Sequence, residues 1–281
     1  MTNKIEAPRP SPVKYTPLYI LTEETIEQDQ NIQFIKDYST YKLGDQMMSR
    51  VFANELVTII NKNHGQDIVQ NPTEWAVITP QYSSIPPSIL TVSGNVAQSL
   101  KTPLIHGRTT VKGSRVVIYA QLHEAELRMA NKLKSPIIID PDSVYRKNIL
   151  FIDDLSVTKT TISYITERLL QQYSAREVFN YLIVDLKTPN PEREEWINTF
   201  LLRTDPPNVT AILNAPYTVI NRKTITSIMA AENSIFTSII NSLDQLALQK
   251  YYDAVLTYYE NDVPFKENFQ FLQSKFNNNH Q

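Results

Sequence analysis

Cysteine is absent from all 281 residues. No disulfide, thiolate nucleophile, Cys-ligated zinc or iron–sulfur centre can form, and a reducing compartment such as the cytoplasm suits the chain. Glycine is nearly as scarce, at the five positions 44, 65, 94, 107 and 113. Neither G-x-G-x-x-G nor G-x-x-x-x-G-K-[ST] occurs, so the dinucleotide and P-loop fingerprints are missing. No apolar run approaches the ~20 residues that cross a bilayer. The opening MTNKIEAPRPSPVKYTP lacks a signal-peptide core, so no membrane partner is expected. Charge of one sign is also lacking. The 27 basic and 29 acidic residues give a net −2, which argues against nucleic acid as a general partner. His64, His106 and His123 are dispersed, with neither metal-ligand spacing nor a companion nucleophile.

What is present is an ordinary globular balance, 42% hydrophobic and 20% charged. Residues 1–17 carry Pro8, Pro10, Pro12 and Pro17 and read as a flexible arm. LYILTEETI fits a short strand and turn. From Tyr41 the spacing of Met48, Val51, Phe52, Leu56, Ile59 and Ile60 is helical, with Lys42 and Asp45 near the start. Strands are expected at 74–79, 115–119, 148–152, 178–186 and 209–213, with a strand or strap at 135–140. Helices are expected at 88–100, 124–134, after 161, and at 191–202 behind a leading proline. Alternating strand and helix predict an α/β fold whose mostly parallel central sheet is covered by helices on both faces. Helices at 223–243, 245–260 and 264–276 follow. The expected organisation is an arm at 1–17, an α/β domain at 18–222 and a helical cap at 223–281. Tyr251, Tyr252, Tyr258 and Tyr259 make one of these helices aromatic. They read as core or as a homodimer contact rather than a base-stacking surface.

The chain is organised around NILFIDDLSVTKTT, residues 148–161. An apolar run, Ile149 to Ile152, leads into Asp153 and Asp154. A hydroxyl-rich turn with Ser156, Val157, Thr158, Lys159, Thr160 and Thr161 follows, and then a helical pattern. A loop of this kind lies at the carboxyl edge of an open sheet, where ligands bind. The following helix start offers unpaired N–H groups to an anion. Paired acids can hold hydroxyls or Mg²⁺. Capping of the helix by the acids is the alternative reading.

This stretch resembles the signature of the phosphoribosyltransferase family, type I: an apolar strand, two acids, a hydroxyl-rich loop, a glycine and a threonine at a helix start. ILFI, Asp153-Asp154, Thr158 and Thr161 fit it, and the family's glycine falls on Lys159. The resemblance extends over roughly residues 40–215. It implies that Asp153 and Asp154 hold the ribose hydroxyls of phosphoribosyl pyrophosphate (PRPP), directly or through Mg²⁺. It further implies that backbone amides of 156–161, with the Thr158 and Thr161 hydroxyls, take the 5′-phosphate. The loop after the 74–79 strand, with Gln81, Tyr82, Ser83 and Ser84, would meet pyrophosphate. That loop lacks the family's usual basic residue. Arg108, Lys112 and Arg115 in the neighbouring basic segment are candidates to replace it.

Three functions follow. The first is Mg²⁺-dependent transfer of phosphoribosyl from PRPP to a nitrogen-containing acceptor such as a nucleobase. The second is a regulatory or scaffold protein that binds PRPP or a nucleotide without turnover, which Lys159 favours. The third is another phosphosugar enzyme, for which no nucleophile or metal cluster is evident. Residues 15–40 and 214–235 are candidates for a hood over the acceptor. A lysine at a glycine position with φ > 0 would cost about 1 kcal/mol or more. Lys159 would then either touch the phosphate or obstruct it.

Overall fold

The computed structural model describes residues 13–80, 85–108, 137–157, 159–188, 190, 192–259 and 263–278, with the Thr160 side chain excepted. Among the described residues, five strands form one sheet: β1 (Tyr15–Thr22), β2 (Trp75–Ile78), β3 (Leu104–Ile105), β4 (Asn148–Ser156) and β5 (Glu177–Lys187). Their order is β1-β5-β4-β2-β3, and every pairing among them is parallel. β4 is central because it can be buried on both faces. Ile149, Leu150, Phe151 and Ile152 are all fully buried, worth about 1.5–3 kcal/mol per side chain. Leu150 and Ile152 face one core cluster, while Ile149 and Phe151 face another.

The first face packs against α1 (Asp29–Lys42), α2 (Gln46–Gln70) and α3 (Ile89–Leu100) through Ile35, Tyr38, Phe52, Leu56, Val92 and Val96. The second packs against α4 (Pro141–Val144) and α5 (Thr160–Gln171) through Val144, Ile162, Ile165 and Leu169. The expected α/β architecture with helices on both faces is therefore the one observed. Seven further helices follow, α6 to α12: Glu192–Asn198, Phe200–Thr204, Pro206–Asn214, Arg222–Met229, Asn233–Ser242, Gln245–Tyr259 and Lys266–Asn278. Ile197 of α6 joins the first cluster, and a third apolar cluster belongs to α7 to α12. Its buried side chains begin at Leu201 in α7 and run to Leu272 in α12, with Leu43 added from the hinge after α1. Tyr251, Tyr258 and Tyr259 are buried within it, and Tyr252 stacks on Phe276 at 4.1 Å. The aromatic stripe is thus largely core.

Several expectations change. Residues 209–213 are helical, inside α8, because Asp205 caps its start by accepting from Asn208 N at 3.3 Å and Pro206 occupies the first turn. Tyr15 to Pro17, expected in the arm, pair with β5. The helix expected from Tyr41 is two helices. Gly44, at φ +100°, breaks them, and Asp45 caps α2 through Met48 N at 2.8 Å. Met48 and Ile59 pack at the core margin, whereas Val51 is exposed. The spans 191–202 and 223–243 each hold two helices rather than one. Ile138 forms an antiparallel bridge with Arg108, making 137–140 a strap. The strand expected at 115–119 and the helix at 124–134 lie outside the described residues.

Candidate active site at the carboxyl edge of the sheet

Parallel pairing brings the carboxyl ends of the strands to one edge, and β4 extends through both acids to Ser156 before turning into α5. Asp153 is buried, and its Oδ1 accepts the Asp154 amide at 3.0 Å. Asp154 is the more heavily engaged acid. Its Oδ1 accepts from Leu155 N at 2.8 Å. Its Oδ2 accepts from Ser88 Oγ at 3.2 Å, from Tyr41 OH at 3.4 Å and from the Lys42 ammonium. Lys42 forms an ion pair there with side chains only 10% and 15% exposed. Its ammonium also lies 5.8 Å from the Tyr38 ring and 5.9 Å from the Tyr41 ring. Burial raises the Tyr41 hydroxyl well above its ordinary pKa, and the Asp154 charge adds to that.

The turn after Asp154 is closed by its own groups. Ser156 Oγ accepts from Lys159 N at 3.1 Å, and Ser163 N donates to Lys159 O at 2.9 Å. Lys159 holds the left-handed conformation a glycine would take, φ +58° and ψ 7°. Its side chain folds back from the turn. The ammonium pairs with Asp185 on β5, donates to the Ser156 and Val157 carbonyls at 3.4 Å, and lies 5.3 Å from the Tyr15 ring. Tyr15 OH donates to the other Asp185 oxygen at 3.0 Å. Asp185 is 1% exposed, so its charge needs these partners. This pair holds the side chain of the left-handed lysine.

A second layer wraps the Lys42 side. Val219 N donates to Gly44 O at 3.1 Å, Asn221 Nδ2 to Lys42 O at 3.1 Å, and Arg222 N to Pro86 O at 3.2 Å. A Cβ at position 44 would meet Val219 O at 2.0 Å, so this approach requires glycine. The 218–222 stretch therefore rests on the hinge between α1 and α2 and on the segment leading into Ser88. Of the two hood candidates, residues 15–22 are instead an edge strand of the sheet.

The expected site residues separate as follows. Asp153, Asp154, Ser156, Val157 and Lys159 come together at the end of β4, with Thr161 in the first turn of α5. Arg108 lies three residues beyond β3 on the same edge, with its backbone paired to Ile138 at 3.1 and 2.9 Å. Thr158, Gln81, Tyr82, Ser83, Ser84, Lys112 and Arg115 lie outside the described residues, as does the Thr160 side chain. Sequence reasoning missed Tyr41, Lys42 and Ser88 around Asp154, and Tyr15 and Asp185 around Lys159. Lys42 lies 112 positions from its acid, and no local pattern links them.

Among the described residues no group of three or more His, Asp or Glu is placed to hold a metal ion. Mg²⁺ demands oxygen ligands at about 2.0–2.1 Å in near-octahedral geometry. The Asp154 oxygens already accept from one backbone amide, two hydroxyls and an ammonium. A divalent ion there would have to expel Lys42, so the donor set does not fit one at Asp154. Nor, among the described residues, is any helix long and apolar enough to cross a membrane.

Comparisons with known proteins agree with the motif. No curated protein matches the chain. Three solved structures are similar over about half of it. One is the adenine phosphoribosyltransferase of Saccharomyces cerevisiae, complexed with an imino-altritol bisphosphate and adenine (14% identity, 48% of this chain, 68% of that one, TM-score 0.30). Another is a hypoxanthine phosphoribosyltransferase of Staphylococcus aureus (16% identity, 50% of this chain, 65% of that one, TM-score 0.32). The third is another adenine phosphoribosyltransferase (11% identity, 49% of this chain, 79% of that one, TM-score 0.31). The sequence model of the phosphoribosyltransferase family described as ComF-like matches residues 19–272, nearly the whole chain. The chain belongs to the ComF-like phosphoribosyltransferase family.

Proposed function

We propose that the carboxyl edge of β4 binds a ribose phosphate, with PRPP as donor, and that the protein transfers its phosphoribosyl group to a nitrogen-containing acceptor such as a nucleobase. One observation carries this reading: a buried central strand ends in Asp153 and Asp154 and turns directly through Ser156–Lys159 into the start of α5. The amides of that turn and helix start suit the 5′-phosphate. Asp153 suits the ribose hydroxyls and the positive charge that grows as the C1–O bond opens. Pyrophosphate leaves as the acceptor nitrogen attacks C1. Mg²⁺, when bound, would neutralise pyrophosphate. Gln81–Ser84 with Arg108, Lys112 and Arg115 remain the proposed contacts for that group. The 218–222 stretch, resting on the Lys42–Gly44 hinge, is the proposed hood. The α/β domain expected at 18–222 would begin with β1 at Tyr15, and the helical cap expected at 223–281 would include the helices from Phe200 onward whose side chains share its cluster, in a cytoplasmic protein.

Calorimetry with PRPP and Mg²⁺ tests the reading. The wild type should bind, and Asp153→Asn should weaken binding by about tenfold or more through loss of charge-assisted hydrogen bonds. No wild-type binding would remove the proposal. Pyrophosphate release across a panel of nucleobases then tests transfer. A second reading, binding without turnover, is favoured by one observation: Lys42 holds Asp154, one of the two acids transfer would use. Binding without release for any acceptor supports it.

A further inference from the structure

We propose that Lys42 is the resident cation of this site: it takes the place of a divalent ion at Asp154 and offers its remaining N–H donors to the ribose-phosphate ligand, so that binding does not require Mg²⁺. This rests on the ribose-phosphate reading of the same site and adds to it the source of positive charge. Three observations support it. First, the ammonium is paired with Asp154 Oδ2, which also accepts from Ser88 and Tyr41, so that oxygen is already engaged. Second, lysine has three donors, and among the described residues only the one to Asp154 is used in a hydrogen bond. A buried ammonium calls for partners at its remaining donors, and a ligand can supply them. Third, the side chain is fixed rather than casual. It is enclosed by the rings of Tyr38 and Tyr41, and its own carbonyl is tied to Asn221 Nδ2 at 3.1 Å.

Asp154 is, in this view, the acid that orients Lys42 rather than a ligand of the sugar. The ion pair offsets the charge of Asp154. The ammonium then meets ligand oxygens already held in place, without recruiting an ion from solution. Any Mg²⁺ that accompanies PRPP would belong to its pyrophosphate.

Ribose 5-phosphate is the decisive probe, because it lacks the pyrophosphate that binds Mg²⁺ on its own account. Titration calorimetry of the wild type with EDTA and with Mg²⁺ should give affinities within about twofold of each other. Lys42→Met in EDTA should bind about tenfold or more weakly, and Mg²⁺ should restore part of the loss. Lys42→Arg, which keeps the charge, should retain metal-independent binding. Mn²⁺ alone, followed by its electron paramagnetic resonance signal, should bind Lys42→Met and not the wild type. A wild type that binds only with Mg²⁺ overturns the inference while leaving the ribose-phosphate reading intact. So does a Lys42→Met protein that binds as tightly as the wild type in EDTA. A wild type that binds ribose 5-phosphate and PRPP in neither buffer overturns that reading, and this inference falls with it.

Discussion

The carboxyl edge of the sheet holds two lysine–aspartate–tyrosine groups of opposite build. In Lys42–Asp154–Tyr41 the acid is the more exposed partner, 15% against 10% for the lysine. In Lys159–Asp185–Tyr15 the acid is 1% exposed and the lysine 23%. Each tyrosine donates to its aspartate, and each lysine lies within 6 Å of its tyrosine ring. In the first group both charged partners keep some exposure, which suits the inferred contact between the Lys42 ammonium and a ligand. The second covers a carboxylate with a cation, which is an arrangement for holding a turn. Lys159 is thus engaged through its ammonium by Asp185 and by the Ser156 and Val157 carbonyls. It keeps a glycine-like backbone by anchoring its side chain on the neighbouring strand.

If that contrast is right, the largest stability effect belongs to the second group. Lys159→Ala strands a nearly inaccessible Asp185 with only Tyr15 to satisfy it, and should cost about 3 kcal/mol. Lys159→Gly loses the same pair but relieves about 1 kcal/mol of left-handed strain, leaving a net loss of about 2 kcal/mol. Adding Asp185→Asn removes the buried charge and should recover most of either loss. Urea unfolding midpoints at neutral pH check the order. A Lys159→Ala protein as stable as the wild type would break the comparison, because the turn would then hold without the pair.

The first group should show the reverse balance. Lys42→Met leaves Asp154 its contacts to Leu155 N, Ser88 and Tyr41, together with some water. Its stability loss should be about 1.5 kcal/mol, smaller than that of Lys159→Ala. Ribose 5-phosphate affinity, in contrast, should fall in Lys42→Met and stay within about twofold of wild type in Lys159→Gly. Equal losses of affinity in the two variants would mean that both groups serve the ligand, and would erase the distinction.

The same contrast explains what the sequence disclosed. Residues 148–161 were legible because their signals are local: Ile149 to Ile152 for a strand buried on both faces, two acids, and helical spacing from Ile162 onward. β5 was legible for the same reason. VTAIL at 209–213 misled because β-branched residues favour strands, while Asp205 and Pro206, just before it, are helix-start signals. α1 escaped notice because its inward side chains, Ile35, Tyr38 and Tyr41, sit among polar neighbours. The strained position of Lys159 was foreseen from the glycine it replaces. Its relief was not, because Asp185 and Tyr15 reach it from two other strands. Likewise, Lys42 was visible near the start of a helix, but its meeting with Asp154 exists only once α1 lies against the sheet.

The smallest expected effect concerns the two tyrosines and separates the groups by pH. Burial raises the hydroxyl pKa of both above 10.0, with the neighbouring aspartate adding to it, and Tyr41 is raised much further than Tyr15. An unfolded tyrosine releases its proton near 10.0, before the folded one does. Each raised value therefore supports folding below that pH and loses this support as pH climbs toward the folded value. Urea midpoints from about pH 8 to about pH 11 should fall with pH in the wild type, less steeply in Tyr41→Phe, and almost as in the wild type for Tyr15→Phe. Equal slopes for the two variants would place both hydroxyls in equivalent surroundings. The enclosed cradle drawn for Lys42 would then be no deeper than the Tyr15 side of the Lys159 lock, and the asymmetry between the two groups would rest on their acids alone.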